Sequence, residues 1–324
     1  YYGDPTNVKA VYLLGNIPIP YSGNLSPDGH GDHHGAWPAD GYYGTMGGNW
    51  TDQSVYNTGS QLHHNYNTPG DGKFDQNDFP STVELQVGRV DLSGMETFTH
   101  QGKSELQLMR NYLNKAHAFK AAQMVPTPRA CVFDNIIING NPMAATGQHT
   151  SSLVGHDQVT QLATNGTSFY NLVNNQSYLW TYASGGGQWI AANNVGSTNE
   201  LATNNINFRG VFNVVFGSYF GDWAVQNNFM RAALCNGDAL TNVWSGVPIW
   251  YFHHMGQGEN IGYSARASMN NTSLYTPQNG GWQGQPYRRI HMGLMGDPSL
   301  RMKMVAPPTN LNVSQDPATG NTRL

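Results

Sequence analysis

Charge is scarce in this chain. Of 324 residues, 16 are Lys or Arg and 20 are Asp or Glu, so charged side chains make up 11%, less than half of the ~25% usual in globular domains. A nucleic-acid binder carries a basic stripe, and a net charge of −4 without one argues against that class. No run of roughly 18 apolar residues occurs, so no transmembrane helix is expected. Cysteine is rare too: Cys131 and Cys235 are too few for a disulfide framework. Cys131 lies in the apolar run ACVF and is expected to be a buried small hydrophobe. Cys235 reads as the last turn of a helix, and a bridge between the two is left open. A signal peptide is also missing, and the chain opens on Tyr1-Tyr2, which fits a processed segment.

What remains is apolar and neutral-polar. The apolar fraction of 39% is enough for one large α/β core or two smaller ones. Polarity comes from Asn, Gly, Ser, Thr and Gln. A surface that relies on neutral hydrogen bonds points to an extracellular or cell-surface protein.

Strand-like and helix-like runs alternate, as in a mostly parallel sheet covered on both faces. Strands are expected at VKAVYLLG (8–15), STVELQVGRVD (81–91), ACVFDN (130–135), YLWTYA (178–183), GVFNVVFGS (210–218) and VPIWYFHH (247–254). The stretch 96–119 places Leu106, Met109, Leu113 and Ala116 at helical spacing, and 222–234 reads as a second helix starting near Asp222. Three units follow from this pattern: an N-terminal α/β subdomain (1–123), a C-terminal α/β subdomain (124–305), and a linker with the start of a β-sandwich domain (306–324).

Residues 16–80 show no such period and are too long for a plain connection, so they are functional or held in place by something. GDGKFDQNDF (70–79) offers Asp71, Asp75, Asn77 and Asp78 as oxygen ligands for Ca²⁺, with Asp40 and Asp52 as weaker contributors. Lys73 at a ligand position and the missing distal Glu break the EF-hand match, and a metal-free Asx-rich turn is the competing reading. In DGHGDHHGAWPADGYYG (28–44), His30, Asp32, His33, His34 and Asp40 suit a transition metal, yet their spacing fits no zinc signature. Histidines bonded to backbone beneath a packed aromatic block of Trp37, Tyr42, Tyr43 and Trp50 are the favoured reading.

Three phrases in order carry a resemblance: VYLLGNIPIP, FPSTVELQVGRVDL and HMGLMGDPSLRM. Over roughly residues 8–303 the chain resembles the catalytic region of gingipain-type cysteine peptidases, which have a caspase-like α/β fold. The resemblance implies two mostly parallel sheets or subdomains flanked by helices, followed by the start of a β-sandwich domain, and it raises the expectation of structural calcium. It also implies a His in a Gly-His-Gly turn at one strand end and a Cys at the next, because a thiolate nucleophile needs an imidazole to take and return its proton.

Neither residue is present. After LWTYA the chain has Ser184, Gly185, Gly186 and Gly187, and the cysteine position falls among Ser218, Tyr219 and Phe220. The expectation is therefore a secreted surface protein with this peptidase fold and an inactive centre, acting as a structural or binding module toward extracellular proteins or glycans. Trp180, Trp189, Trp223, Trp244 and Trp250 are candidates for stacking on sugars. The alternative is an active hydrolase with a relocated centre, using Ser218 or Asp222 with His253 or His254.

Overall fold

The computed structural model describes residues 6–136, 149–163, 166–203, 205–244, 250–271, 286–305, 314–320 and 322–323. An eight-stranded sheet organises them: β1 (Ala10–Leu14), β2 (Gln86–Val90), β3 (Ala130–Asp134), β4 (Val159–Gln161), β5 (Ser177–Ser184), β6 (Arg209–Phe216), β7 (Thr241–Trp244) and β8 (Leu294–Gly296). Their spatial order is β1-β2-β8-β7-β6-β5-β3-β4. Every pairing is parallel except β7 with β8. The expected two sheets are thus two halves of one sheet, running in opposite senses and joined where β8 pairs with both β7 and β2.

Burial explains which strands are central. β5 and β6 are buried along all but their first residue, as parallel strands covered on both faces should be. Trp180 of β5 stacks on Phe212 of β6 at 5.1 Å and meets Phe252 at 4.9 Å. By contrast, β1 is an edge strand with only Leu13 buried.

Other expectations need correction. The long helix runs Glu105–Lys120, capped by the Ser104 hydroxyl, which accepts from Gln107 N–H at 3.2 Å. Its buried face is Leu108, Tyr112, Ala116 and Phe119, whereas Leu106 and Leu113 are exposed. Both stripes have helical spacing. The one carrying two aromatics buries more area, and the Tyr112 hydroxyl also donates to Leu240 O at 2.8 Å. The helix expected over 222–234 shrinks to Phe229–Ala232 plus a 3-10 turn through Cys235, because its cap is Asn228, which accepts from Met230 N–H, and not Asp222. No strand forms in the described part of 247–254; His253 instead begins the helix His253–Gly256. At the C-terminal end, Ser314–Gln315 pairs antiparallel with Thr322–Arg323.

The two most specific phrases of the resemblance meet in space. A Cβ on Gly88 would lie 2.5 Å from Gly296 O and 2.7 Å from Pro298 Cδ, so QVGRV and MGDPSLR pack backbone to backbone. Arg89 is fully buried. Its guanidinium grips Asp40 with two bonds of 2.8 Å, donates to Ile17 O and Pro18 O, and lies 5.0 Å from the Trp223 ring centroid. These phrases build the joint between the sheet halves and the long N-terminal segment. They carry scaffold, not reacting groups.

Candidate functional site

The carboxyl ends of β5 and β6 lie side by side, with Ser184 paired to Phe216. Past them the chains stay in contact: Gly185 N–H donates to Phe216 O at 3.0 Å. The glycines allow this. A Cβ on Gly187 would fall 2.1 Å from Ser218 O and 2.4 Å from Ser218 N, and one on Gly185 would fall 2.1 Å from Asn193 O. Gly186 differs. It is exposed, and its Cβ would approach only the Asn193 side-chain amide, at 3.2 Å. The glycine turn therefore lays bare main chain directly against Ser218.

Ser218 itself is not alone. Its Oγ lies 2.8 Å from His30 Nε2. With the ring proton on Nδ1, Nε2 accepts from the hydroxyl, the geometry a general base requires. The partner comes from the histidine-rich loop, 188 residues away in sequence, and not from 253–254. Sequence grouped His30 with the candidate metal ligands, and no local spacing connects it with Ser218. His253 and His254 start a helix that packs on Ser151–Val154.

Below the pair sits Asp28, whose side chain has no exposed surface. One oxygen accepts from His30 N–H at 3.1 Å; the other accepts from Tyr219 N–H at 3.0 Å and bonds His33 Nδ1. Tyr219 has φ +72°, a left-handed conformation that costs a residue with a Cβ on the order of 1 kcal/mol. Its ring stacks on His30 at 5.9 Å, and its hydroxyl donates to Asp32 at 3.0 Å. Desolvation pushes the Asp32 carboxyl up. The Tyr219 hydroxyl and the His33 and His30 rings outweigh it and hold the group below its ordinary range. Phe220 is buried in the core.

Asp222 does not reach Ser218 by any hydrogen bond among the described residues. It accepts from Asn65 Nδ2 at 3.1 Å and pairs with His64 Nε2 at 2.7 Å, both through Oδ2. Asp222 Oδ1 and His33 Nε2 are buried without a partner, and both residues line a cavity of about 10 Å³ with Trp37, Asn65 and Trp189.

The side chains of the acidic loop are engaged in hydrogen bonds. Asp75 accepts from Thr51 Oγ1 and from the N–H groups of Gln53, Ser54 and Val55; Asp52 accepts from Gly70 and Gly72; Asp71 accepts from Thr68 and Lys73. Asp78 bonds Arg289 at 2.6 Å, Asn77 Oδ1 accepts from Asn24 N–H, and Asp40 holds Arg89. Each oxygen-bearing group already serves an N–H or O–H donor, as in an Asx-rich turn. Among the described residues no three His, Cys, Asp or Glu side chains are grouped to hold a metal ion.

The tryptophans expected at a sugar site are mostly in the core. Trp180, Trp223, Trp244 and Trp250 are buried, and Trp189 is half-buried against Tyr219 at 4.7 Å. Tyr42, Trp50 and Phe74 pack on one another within the long loop. Cys131 and Cys235 are both free and buried; burial pushes the Cys235 thiol up to about 12. No described helix is long and apolar enough to cross a membrane.

The sequence matches no protein-family model and no curated protein. Among solved structures, a chain described as a protease aligns with a TM-score of 0.53 at 13% identity, covering 95% of this chain and 69% of its own. The Arg-specific cysteine proteinase gingipain R aligns with a TM-score of 0.48 at 13% identity, over 93% of this chain and 65% of that one. The fold, a large mostly parallel central sheet flanked by helices, is shared with the first of these structures. Against gingipain R, this chain spans a little under two thirds of the structure's length.

Proposed function

We propose that this chain is a divergent, extracellular member of the gingipain-type group that works as a serine hydrolase, with Ser218 as nucleophile and His30 as general base. The observation that carries the proposal is the 2.8 Å approach of His30 Nε2 to Ser218 Oγ at the carboxyl end of β6. Ser218 Oγ attacks the acyl carbon and its proton passes to Nε2. The imidazolium returns that proton to the leaving amine or alcohol, and water then releases the acyl group by the reverse path. Main chain from the glycine turn beside Ser218 supplies the kind of donor an oxyanion needs. The proteases of like fold favour peptide amides as substrates. The low charge of 11% supports the extracellular setting.

The inactive-scaffold reading keeps one supporting observation: no carboxylate among the described residues bonds His30 Nδ1. Labelling with a fluorophosphonate, which reacts with activated serines, decides between the two, paired with cleavage of a peptide and ester library. Labelling and cleavage are expected in the native protein. Ser218→Ala abolishes both, and His30→Gln lowers them by about 10²- to 10⁴-fold. Absence of labelling in the native protein, or labelling retained in Ser218→Ala, sinks the hydrolase and leaves the scaffold.

A further inference from the structure

We infer that Asp28 is the positioning residue of this site, one carboxylate that sets the Ser218–His30 distance by holding the backbone of both partners; the inference rests on the pairing just described. Ser218 belongs to a strand end fixed by the sheet, whereas His30 belongs to an exposed loop, so their alignment needs a tie between the two. Asp28 supplies it with a division of labour between its oxygens. Oδ1 takes the N–H of His30 itself, and Oδ2 takes the N–H of Tyr219, the residue following Ser218. The two oxygens of a carboxylate are rigidly spaced, so the two main chains are rigidly spaced as well. His33 Nδ1 closes the set on Oδ2 and offsets the cost of a fully buried charge.

The tie also accounts for Tyr219. A non-glycine residue persists at φ +72° only where its surroundings hold it there. The Asp28 bond to its N–H, the Asp32 bond to its hydroxyl and the edge-on contact with His33 do so from three sides. Asp28 touches neither the hydroxyl nor the imidazole of the pair, so its effect passes through their backbones.

The experiment is an NMR titration of the His30 ring, assigned with His30→Gln, in the native protein and in Ser218→Ala, each with and without Asp28→Asn. Asparagine keeps one acceptor and loses the other, so one of the two backbone ties is lost. With Asp28 intact, Ser218→Ala is expected to shift the His30 resonance and midpoint. In the Asp28→Asn background that response vanishes. Turnover should show kcat lower by about 10²-fold with KM unchanged within about twofold, the signature of misplacement by ~1 Å. His33→Gln leaves both backbone ties in place and is expected to lower the melting temperature while keeping the Ser218 response. Asp28→Glu, which moves the oxygens outward by one carbon, carries the same expectation as Asp28→Asn should that variant not fold. A Ser218 response that survives in either Asp28 variant overturns the inference. A native protein without hydrolysis but with the Asp28-dependent response refutes the hydrolase reading alone, and hydrolysis unaffected by Asp28→Asn refutes the positioning role alone.

Discussion

Gly187→Ala and Gly186→Ala differ by one position and should differ sharply in effect. At Gly187 the new methyl would begin 2.1 Å from Ser218 O and 2.4 Å from Ser218 N. Both are main-chain atoms, so no rotamer change relieves the clash, and the Ser218 backbone must retreat by about 1 Å to reach ordinary contact. Overpacking of this kind costs about 1–3 kcal/mol. Displacing the nucleophile by ~1 Å from its base costs about 10²-fold in rate. At Gly186 the methyl meets only the Asn193 amide at 3.2 Å, a side chain that can swing away. Stability there should stay within about 0.5 kcal/mol, as for most surface substitutions, and fluorophosphonate labelling should keep its native rate. Paired thermal melts and labelling time courses measure both quantities on the same samples. Equal damage at the two positions, or native labelling in Gly187→Ala, would refute the idea that this turn exists to let main chain reach Ser218.

Arg89→Ala leaves Asp40 buried and uncompensated, so urea unfolding should lose about 3–5 kcal/mol. Excess chelator should leave the melting temperature unchanged, because the loop carboxylates are engaged by N–H groups; a fall on chelation would reveal a metal site. Asp75 sets an acid limit. Burial pushes its carboxyl up, but the Val55, Gln53 and Ser54 amides and the Thr51 hydroxyl hold it down at about 2, below its ordinary 3.8. A depressed folded value stabilises above pH ~4 and is lost as pH falls toward 2, so Asp75→Asn should flatten the acid limb of a urea-unfolding series between those values. The cavity between His33 and Asp222 has the size and polarity for one water, and a high-resolution crystal structure should show it bonded to His33 Nε2 and Asp222 Oδ1.

The sheet's centre was legible because long parallel strands buried on both faces must be apolar runs, and ACVF, YLWTYA and GVFNVVF are such runs. Its weaker members were not. β7 reads TNVW and β8 reads LMG, too short and too mixed to show a period. The helical face was misjudged because two apolar stripes of helical spacing exist, sharing Ala116, and only packing chooses between them. The neighbouring ends of YLWTYA and GVFNVVF were also legible, and Ser184 pairs with Phe216 there. His30 as the partner of Ser218 was not. His30 reaches Ser218 across 188 residues of chain, through a segment held by one short hairpin, scattered backbone bonds and many side-chain-to-backbone bonds, which leave little periodic trace.

That origin of the base changes what the site depends on. An imidazole carried on β5 would be aligned with β6 by the ladder between them, where Ser184 already faces Phe216, and its position would be as stable as the sheet. An imidazole carried on the 28–34 loop lies beyond the end of a short antiparallel ladder between Tyr21–Leu25 and Gly35–Pro38. It inherits its position from the Asp28 bond to Tyr219 N–H, from the Trp37 indole bonded to His33 O at 2.9 Å, and from Asn65 reaching Ala36 O at 2.8 Å, side-chain contacts around that loop. Local opening of such a segment takes less free energy than opening the sheet. In the proposed hydrolase, activity is therefore coupled to the ordering of residues 28–65, and conditions that loosen that segment while the sheet stays intact should silence Ser218 well before the protein unfolds.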